Sequence, residues 1–215
     1  MVHLDPFYPI LPDTDWLARL LPAGIKFVQL RIKDQSLDVV RAEIGKALAL
    51  CKAHGCQLVI NDYWREAIDA GATFVHLGQE DLATADRTGI RRAGIKIGVS
   101  THSVEELETA LGAEADYVAL GPIYATTLKV MPWAPQGLPR IAEWRERIRC
   151  PLVAIGGMTV DRAPLALAAG ANSVAVLSDL VTSYAPKSRA KNWLAATAPW
   201  RDYPQDAPKA KGAPG

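Results

Sequence analysis

Charged side chains follow several short apolar segments of this chain, at spacings suited to binding anions. Two cations, Arg31 and Lys33, end one segment, and two carboxylates, Asp62 and Asp81, follow the next two segments. Magnesium commonly binds through one or two carboxylates and completes its shell with water and substrate phosphates. Arg31 and Lys33 alternate with apolar residues and point to one side, where burying two cations is costly unless an anion binds. Together these residues predict a magnesium ion and a phosphorylated ligand.

Each of these residues also has a purely structural interpretation. Aspartate is a good N-cap, so Asp62 and Asp81 could each cap the helix that follows. Arg31 and Lys33 could instead form buried ion pairs with Asp62 or Glu80. The spacing of these residues is compatible with the magnesium and phosphate interpretation and with the structural one.

A second anion site is predicted at the ends of the last two apolar segments. Gly156 and Gly157 end one segment, and Ser178 ends the next. Backbone N–H groups exposed by glycine, a serine hydroxyl and a helix N-terminus commonly bind phosphate after the last two strands of a (β/α) barrel. A tight turn that requires glycine is the alternative. Two separate anion sites imply two phosphorylated small-molecule substrates.

The histidines form no obvious pair of nucleophile and base. His76 lies inside an apolar segment, which favours a hydrogen-bonded core histidine over a catalyst, whereas His102 follows a later segment at a predicted rim position. A reaction driven by departure of a metal-bound leaving group needs charge stabilisation more than proton abstraction. The lack of an obvious general base therefore favours that kind of chemistry.

Short apolar runs alternate with stretches of helical periodicity, and this alternation positions the polar residues. The predicted strands are 8–11, 27–32, 58–60, 74–77, 95–99, 117–120, 152–155 and 174–177. Their number and spacing favour a closed (β/α)8 TIM barrel, with parallel strands and outer helices, over an open sheet. One helix is predicted over 36–53, with Ser36 as its N-cap, an apolar face that begins at Leu37, and Gly55 as its stop signal. All strands of such a barrel end at one rim, where its sites are built.

Length and local composition predict the domain organisation. A single barrel domain is expected over 1–198, and the proline-rich tail 199–215 is expected to be disordered. A long connection over 121–139 follows the sixth predicted strand and favours a mobile active-site loop.

Bulk composition argues against several classes of partner and site. Lys+Arg 24 against Asp+Glu 23 leaves a net charge of +1, so no nucleic-acid or membrane-surface partner is expected. No segment approaches the roughly 18 apolar residues of a membrane span, and no signal-peptide pattern begins the chain, so a cytoplasmic location is expected. Cys51, Cys56 and Cys150 lack metal or redox spacing and are expected to be reduced packing residues.

The polar strings, in their order along the chain, resemble the thiamine-phosphate synthase family. They read Q-L-R-I-K-D, I-N-D, H-L-G-Q-E-D, G-V-S-T-H, G-P-I-Y-A-T-T-L-K, A-I-G-G and A-V-L-S, and the resemblance runs from residue 8 to residue 178. It implies a TIM-barrel transferase that joins 4-amino-5-hydroxymethyl-2-methylpyrimidine diphosphate to 4-methyl-5-(2-hydroxyethyl)thiazole phosphate, giving thiamine phosphate and diphosphate. It also implies that the pyrimidine diphosphate ionises to a stabilised carbocation, which the thiazole nitrogen then attacks.

The resemblance assigns roles to single residues. Those implied for the diphosphate of the pyrimidine substrate are Gln29, Arg31, Lys33, Asn61 and Lys129. Those implied for the thiazole phosphate or the thiazole ring are Thr126, Gly157, Leu177 and Ser178. Asp62 and Asp81 would bind Mg²⁺, and Ser100 and Lys129 would act at the reacting centre. A homodimer is expected because twofold oligomers are common.

Three other functions explain part of the pattern. A thiazole tautomerase shares the barrel and the thiazole site but needs no magnesium carboxylates, so Asp62, Asp81 and Lys129 favour the synthase. A non-catalytic regulator that binds thiamine phosphate is supported only by a departure from the family loop at Leu128. A sugar-phosphate isomerase or aldolase leaves Arg31 and the aspartate pair unexplained.

The departure at Leu128 gives a first prediction. The family loop usually reads T-x-T-K or T-x-S-K, whereas Thr126 is followed here by Thr127, Leu128 and Lys129. The missing hydroxyl removes one hydrogen bond, worth about 0.5 to 1.5 kcal/mol. We expect Leu128→Thr to lower the Michaelis constant for the thiazole phosphate, measured by steady-state kinetics. An unchanged or higher constant would refute this expectation.

Overall fold

The strands of the protein close into one parallel barrel in the computed structural model, which describes residues 2–126 and 133–202. The strands are β1 (Phe7–Leu11), β2 (Phe27–Leu30), β3 (Gln57–Asn61), β4 (Phe74–Leu77), β5 (Lys96–Thr101), β6 (Tyr117–Leu120), β7 (Leu152–Ala154) and β8 (Ser173–Val176). Each pairs in parallel with the next along the chain, and β8 pairs with β1 to complete the ring. The predicted eight-stranded barrel is confirmed.

Helices surround this barrel. Within the described residues they are α1 (Thr14–Leu20), α2 (Leu37–Ala53), α3 (Trp64–Asp69), α4 (Gln79–Thr84), α5 (Arg87–Arg92), α6 (Val104–Gly112), α7 (Gly137–Arg147), α8 (Ala163–Ala168), α9 (Ser178–Val181) and α10 (Pro186–Thr197). Short 3₁₀ helices occupy Leu21–Ala23 and Ala198–Trp200. None of the helices in the described part of the chain is long and apolar enough to cross a membrane.

Side chains of each strand alternate between the barrel interior and the layer of helices. Tyr8, Phe27, Phe74 and Tyr117 belong to one buried cluster and contact one another, with ring centroids 4.2 to 6.4 Å apart. Residues between them in sequence, such as Val118, belong to the larger cluster that includes the helix side chains. The strands are therefore buried on both faces, which explains their continuous apolar runs.

Helix α2 shows how far local pattern predicts structure. Ser36 caps this helix, as predicted, and its Oγ accepts a hydrogen bond from the Val39 backbone N–H. Val40 and Ile44 are buried, as the periodicity indicates. Leu37, predicted for the same face, is half-exposed. It is the first residue of the helix, ahead of the turns that carry the buried residues.

β7 ends at Ala154, one residue before the end of its apolar run, and two further strands also end early. β2 was expected to continue to residue 32, but it stops at Leu30. The Arg31 N–H still donates to the Leu11 carbonyl over 2.8 Å, and the chain then turns through Asp34, whose φ is +57°. β8 stops at Val176, one residue before the predicted end. In both places the chain leaves the sheet to begin the next helix.

The three cysteines are all free, and Cys51 and Cys56 are buried. Both belong to the large cluster between strands and helices, and Cys150 is partly buried against it. The expectation of reduced packing residues agrees with these positions.

The first residues of the predicted tail pack on the barrel. Trp200 is buried, and Arg201 Nε donates to Asp5 Oδ2 over 2.8 Å. Asp5 lies just before β1, and its Oδ1 accepts a hydrogen bond from the Phe7 backbone N–H. Residues 199–202 therefore belong with the barrel rather than with a disordered tail. The rest of the predicted tail, 203–215, lies outside the described residues.

This terminal ion pair gives a stability prediction. Arg201→Ala leaves the largely buried Asp5 carboxylate without its charged partner, so we expect the free energy of unfolding to fall by about 1 to 3 kcal/mol. Equilibrium urea unfolding measures the change. Arg87→Ala is the matched control, because Arg87 is exposed and has no ion-pair partner among the described residues. Equal effects of the two substitutions would contradict a stabilising role for the Arg201–Asp5 pair.

Candidate active site

Lys33 and Asp62 form an ion pair at the carboxyl-end rim of the barrel. Lys33 Nζ lies 2.5 Å from Asp62 Oδ2, and the two side chains are 44% and 21% exposed. Asp62 follows β3 directly and has a φ of +64°, a left-handed conformation in which aspartate is enriched. Its N–H donates to the His76 carbonyl on β4 over 2.9 Å. The ion-pair alternative therefore describes Lys33 correctly, except that the pair is open to solvent.

Asp81 lies in the first turn of α4, next to Asp62. Burial raises the pKa of Asp81, the neighbouring Asp62 carboxylate raises it further, and Lys33 opposes the shift. Neither aspartate is the N-cap residue of its helix, since Tyr63 is the N-cap of α3 and Gly78 is the N-cap of α4. The Gly78 N–H does bond to the Asp81 carboxylate. The helix-cap alternative is thus wrong for Asp62 and partly correct for Asp81.

The donor chemistry of this carboxylate pair fits a magnesium ion. Two close carboxylates repel each other, and a divalent cation between them would relieve that repulsion. Magnesium needs only one or two protein carboxylates, because waters and substrate phosphates supply its other ligands. In residues 2–126 and 133–202 there is no group of three or more His, Cys, Asp or Glu side chains arranged around a possible metal. Asp62 and Asp81 are the residues that would hold the ion.

The other residues expected to bind diphosphate lie at different depths. Arg31 stands just past β2 and is partly exposed, and its guanidinium has no ion-pair partner within the described residues. Asn61 is buried as the last residue of β3. Gln29 is also buried, and its Nε2 donates to Tyr8 Oη over 2.8 Å inside the barrel. Arg31 is therefore a partly exposed cation two residues before Lys33, whereas Gln29 lies deeper.

Ser100 ends a chain of hydrogen bonds that crosses the barrel interior. Beyond the Gln29–Tyr8 bond, Tyr8 Oη lies 2.9 Å from Tyr117 Oη, which lies 2.8 Å from His76 Nδ1. His76 Nε2 lies 2.8 Å from Ser100 Oγ. Burial lowers the pKa of His76 to about 4 and raises the pKa values of Tyr8 and Tyr117 above the usual value. The interpretation of His76 as a hydrogen-bonded core histidine agrees with this arrangement.

The two tyrosines of this chain were missed by sequence reasoning. Tyr8 and Tyr117 sit near the starts of β1 and β6, and both were counted only as part of apolar runs. A usable signal was present, because a phenol inside a strand of a closed barrel must find a hydrogen-bond partner when it is buried. They bond to each other and to Gln29 of β2 and His76 of β4, partners that the local sequence does not reveal.

His102 makes several contacts with residues that have no proposed catalytic role. Its Nδ1 lies 2.8 Å from Glu106 Oε2, and its ring stacks on Trp133 with centroids 5.9 Å apart. Gln136 Nε2 donates to the His102 carbonyl over 2.5 Å. His102 thus joins the start of α6 to the returning end of the long connection, instead of standing free at the rim.

Gly156 and Gly157 allow the turn after β7 to lie close to the segment after β6. Both have left-handed backbone conformations, with φ values of +95° and +61°. A Cβ on Gly156 would lie 2.6 Å from Pro122 Cα, and one on Gly157 would lie 2.8 Å from Tyr124 Cβ. The tight-turn interpretation is therefore correct. It is compatible with anion binding, because the Gly157 N–H has no hydrogen-bond acceptor within the described residues.

The remaining residues implied for the thiazole site lie near this turn or at the edge of the described chain. Ser178 is the first residue of α9. Leu177 occupies the N-cap position of this helix, and no side-chain hydrogen bond caps the helix there. Thr126 is the last described residue before the gap and is partly buried. Thr127, Leu128 and Lys129 lie outside the described residues.

Comparison with known proteins gives one consistent family. The sequence matches the family model described as thiamine monophosphate synthase over residues 9–180. A Rhizobium etli protein named thiamine-phosphate synthase is 59% identical over 201 residues, which cover 93% of this chain and 98% of that protein. A Salmonella schwarzengrund protein of the same name is 47% identical over 192 residues, covering 89% of this chain and 88% of that protein.

Solved structures share the fold. A thiamine phosphate pyrophosphorylase from Pyrococcus furiosus is similar with a TM-score of 0.81 at 23% identity, covering 91% of this chain and 96% of that one. A 3-hexulose-6-phosphate synthase gives a TM-score of 0.61 at 19% identity, covering 88% of this chain and 98% of that one. These similarities establish the barrel fold alone, and the sequence matches establish the family. Because the family model covers most of the barrel and the Rhizobium etli relative is similar over nearly its whole length, this chain belongs to the thiamine monophosphate synthase family and is a transferase.

Proposed function

We propose that this enzyme joins 4-amino-5-hydroxymethyl-2-methylpyrimidine diphosphate to 4-methyl-5-(2-hydroxyethyl)thiazole phosphate, with Mg²⁺, to give thiamine phosphate and diphosphate. The observation that carries the proposal is the charge arrangement at the barrel rim. The Asp62 and Asp81 carboxylates lie together, and Lys33 pairs with Asp62. Arg31, two residues before Lys33, is partly exposed and has no ion-pair partner in the described part of the chain. A diphosphate with a divalent cation complements both signs of this arrangement.

The proposed reaction exchanges one bond for another. The bond between the pyrimidine methylene carbon and the diphosphate oxygen breaks, and the electron pair leaves with the diphosphate. The thiazole nitrogen then donates its lone pair to that carbon and forms the new carbon–nitrogen bond. No proton needs to be removed from either atom, which agrees with the lack of a general base in the sequence pattern.

In this proposal the cations of the rim bind and orient the leaving group. Magnesium, when bound, supplies positive charge to the departing diphosphate. Arg31 and Lys33 donate hydrogen bonds to its oxygens, and guanidinium geometry suits two oxygens at once. Asp62 exchanges its bond to Lys33 for the metal when substrate binds, so Lys33 becomes available. Preformed positive charge at the leaving group is commonly a large part of catalysis.

The second substrate is proposed to bind across the rim from the diphosphate. The Gly157 N–H and the backbone and hydroxyl of Ser178 suit the thiazole phosphate, since they offer donors that are not committed to other groups in the described residues. Leu177 would contact the thiazole ring, and Thr126 would bind from the long connection. Gln29, Asn61, Ser100 and Lys129 keep the roles that the family resemblance implies.

The proposal also includes location and assembly. A cytoplasmic location suits three free cysteines, because a reducing compartment keeps thiols unpaired. A homodimer is proposed on the prevalence of twofold assemblies. Sedimentation equilibrium of the purified chain tests the assembly.

Product formation tests the proposed reaction directly. The purified protein is incubated with both substrates and MgCl₂, and thiamine phosphate and diphosphate are measured in the same samples. We expect equal amounts of the two products, and no product after chelation with EDTA. If a folded protein forms neither product from intact substrates, the synthase proposal fails and a tautomerase or a binding regulator replaces it.

The metal site gives a prediction for Asp81. Asp81→Asn removes one of two carboxylate charges, so we expect the magnesium concentration for half-maximal activity to rise at least about tenfold, with lower turnover. Magnesium titration of the initial rate measures both quantities. Asp69→Asn is the matched control, because Asp69 is exposed at the end of α3. This substitution changes the net charge by the same amount as Asp81→Asn. The same magnesium dependence in the Asp81 variant and the wild type would remove Asp81 from the proposed site.

A further inference from the structure

We propose that His76 is a positioning residue, which donates a hydrogen bond from Nε2 to Ser100 Oγ and thereby directs the Ser100 hydroxyl hydrogen toward the departing diphosphate. This inference rests on the proposed function, because it specifies how Ser100 acts in that reaction. It assigns a purpose to the three buried side chains between Gln29 and Ser100, namely Tyr8, Tyr117 and His76, which have no role in the proposed reaction so far.

The hydrogen-bonded chain begins at the Gln29 amide nitrogen, which can only donate. Gln29 Nε2 donates to Tyr8 Oη over 2.8 Å. Tyr8 Oη lies 2.9 Å from Tyr117 Oη, and either hydroxyl could donate. Because Tyr117 Oη is the one acceptor within reach of the single Tyr8 hydroxyl hydrogen in the described residues, we assign Tyr8 as the donor. Tyr117 in turn donates to His76 Nδ1 over 2.8 Å. Each group therefore accepts one hydrogen bond and donates one, in the same direction along the chain.

This direction selects one tautomer of His76. Because Nδ1 accepts from Tyr117, the single hydrogen of a neutral imidazole must be on Nε2. An Nδ1 that accepts carries no hydrogen, so the buried ring is the neutral form with its hydrogen on Nε2. The Nε2–H then donates to Ser100 Oγ over 2.8 Å. The imidazole ring is also held by stacking on Tyr117, with centroids 5.6 Å apart.

Gly98 provides the space for this chain. Tyr117 on β6 and His76 on β4 are separated by β5, and Gly98 of β5 pairs in register with both residues. The phenol ring of Tyr117 occupies the position that a Cβ of Gly98 would need, so any larger residue there would displace the ring. The glycine lets Tyr117 cross β5 and reach the imidazole. The hydrogen-bonded chain therefore depends on the lack of a side chain at Gly98 as well as on its own side chains.

The direction of this hydrogen-bonded chain fixes whether the Ser100 hydroxyl accepts or donates. With His76 donating to its oxygen, the serine hydroxyl keeps its own hydrogen for another acceptor. The Ser100 carbonyl is already bonded, since it accepts from Gln79 Nε2 over 2.7 Å. Ser100 is partly exposed at the end of β5, within the same rim as the carboxylate pair. In the proposed reaction the developing negative charge on the diphosphate is the acceptor for this hydrogen.

The tautomer can be measured without any substrate. Protein labelled with ¹⁵N-histidine gives two-bond ¹H–¹⁵N correlations that distinguish Nδ1–H from Nε2–H, and the signals that His76→Gln removes identify His76. At pH 7 we expect a protonated Nε2 and an unprotonated Nδ1 in the wild type. Tyr117→Phe should lose this strict preference, because Nδ1 no longer accepts a hydrogen bond. A wild-type ring protonated on Nδ1 would overturn the inference.

Kinetics test whether Tyr117 and His76 act through Ser100. Removal of one donor to a developing anion commonly costs about 10²-fold in kcat or more, and we expect Ser100→Ala to lose on the order of this factor. Tyr117→Phe keeps the ring and should lose about tenfold in kcat, with the Michaelis constants of both substrates changing less than about twofold. In the Ser100→Ala background, Tyr117→Phe should have no further effect. Tyr184→Phe is the control, because Tyr184 is fully exposed.

The possible outcomes separate this inference from the proposed function. If the wild type forms no thiamine phosphate, the proposed function fails, whatever the tautomer. If the wild type is active but the effects of Tyr117→Phe and Ser100→Ala are multiplicative, the synthase stands and the positioning role is wrong. A change confined to the Michaelis constants would equally overturn it, since that result assigns Tyr117 to substrate binding.

Discussion

Parallel pairing of β8 with β1 closes the barrel, and every part of the candidate site depends on this closure. The ring brings strands that are distant in sequence to face one another, so that Tyr8 of β1 lies 2.9 Å from Tyr117 of β6. An open sheet with the same strands would leave the first and last loops far apart. Closure is maintained by side chains on both faces of each strand, because the interior is packed as well as the outer layer.

The rim of the barrel holds both carboxylates and cations. The Asp62 carboxylate disfavours ionisation of Asp81, and Lys33 partly compensates by pairing with Asp62. Arg31, two residues before Lys33, adds a further positive charge to this part of the chain. The arrangement holds both signs of charge in a partly exposed place, where neither needs full desolvation. A metal ion with a diphosphate would replace these internal compensations, since each carboxylate would gain a cation and each cation would gain an anion.

The barrel interior follows a different rule, because buried polar groups there must be satisfied by one another. Tyr8, Tyr117 and His76 are deeply buried, and all of their polar atoms belong to one hydrogen-bonded chain. Such a chain is rigid, since moving one member leaves another buried group without a partner. Gly98 contributes by the absence of a side chain. A rigid interior connected to Ser100 at the rim is the physical basis for a serine with fixed orientation.

The sequence by itself determined the strand order, the closed parallel architecture and the set of residues that reach the rim. These follow from hydrophobic periodicity and from the polar residue at the end of each run, and both are local properties of the chain. Only the tertiary structure decided which side chains touch. The partner of Asp62, the position of Tyr117 over Gly98 and the packing of Arg201 on Asp5 join residues from 19 to 196 positions apart. Such contacts depend on how the closed barrel directs each side chain toward residues of other strands, which no local pattern records.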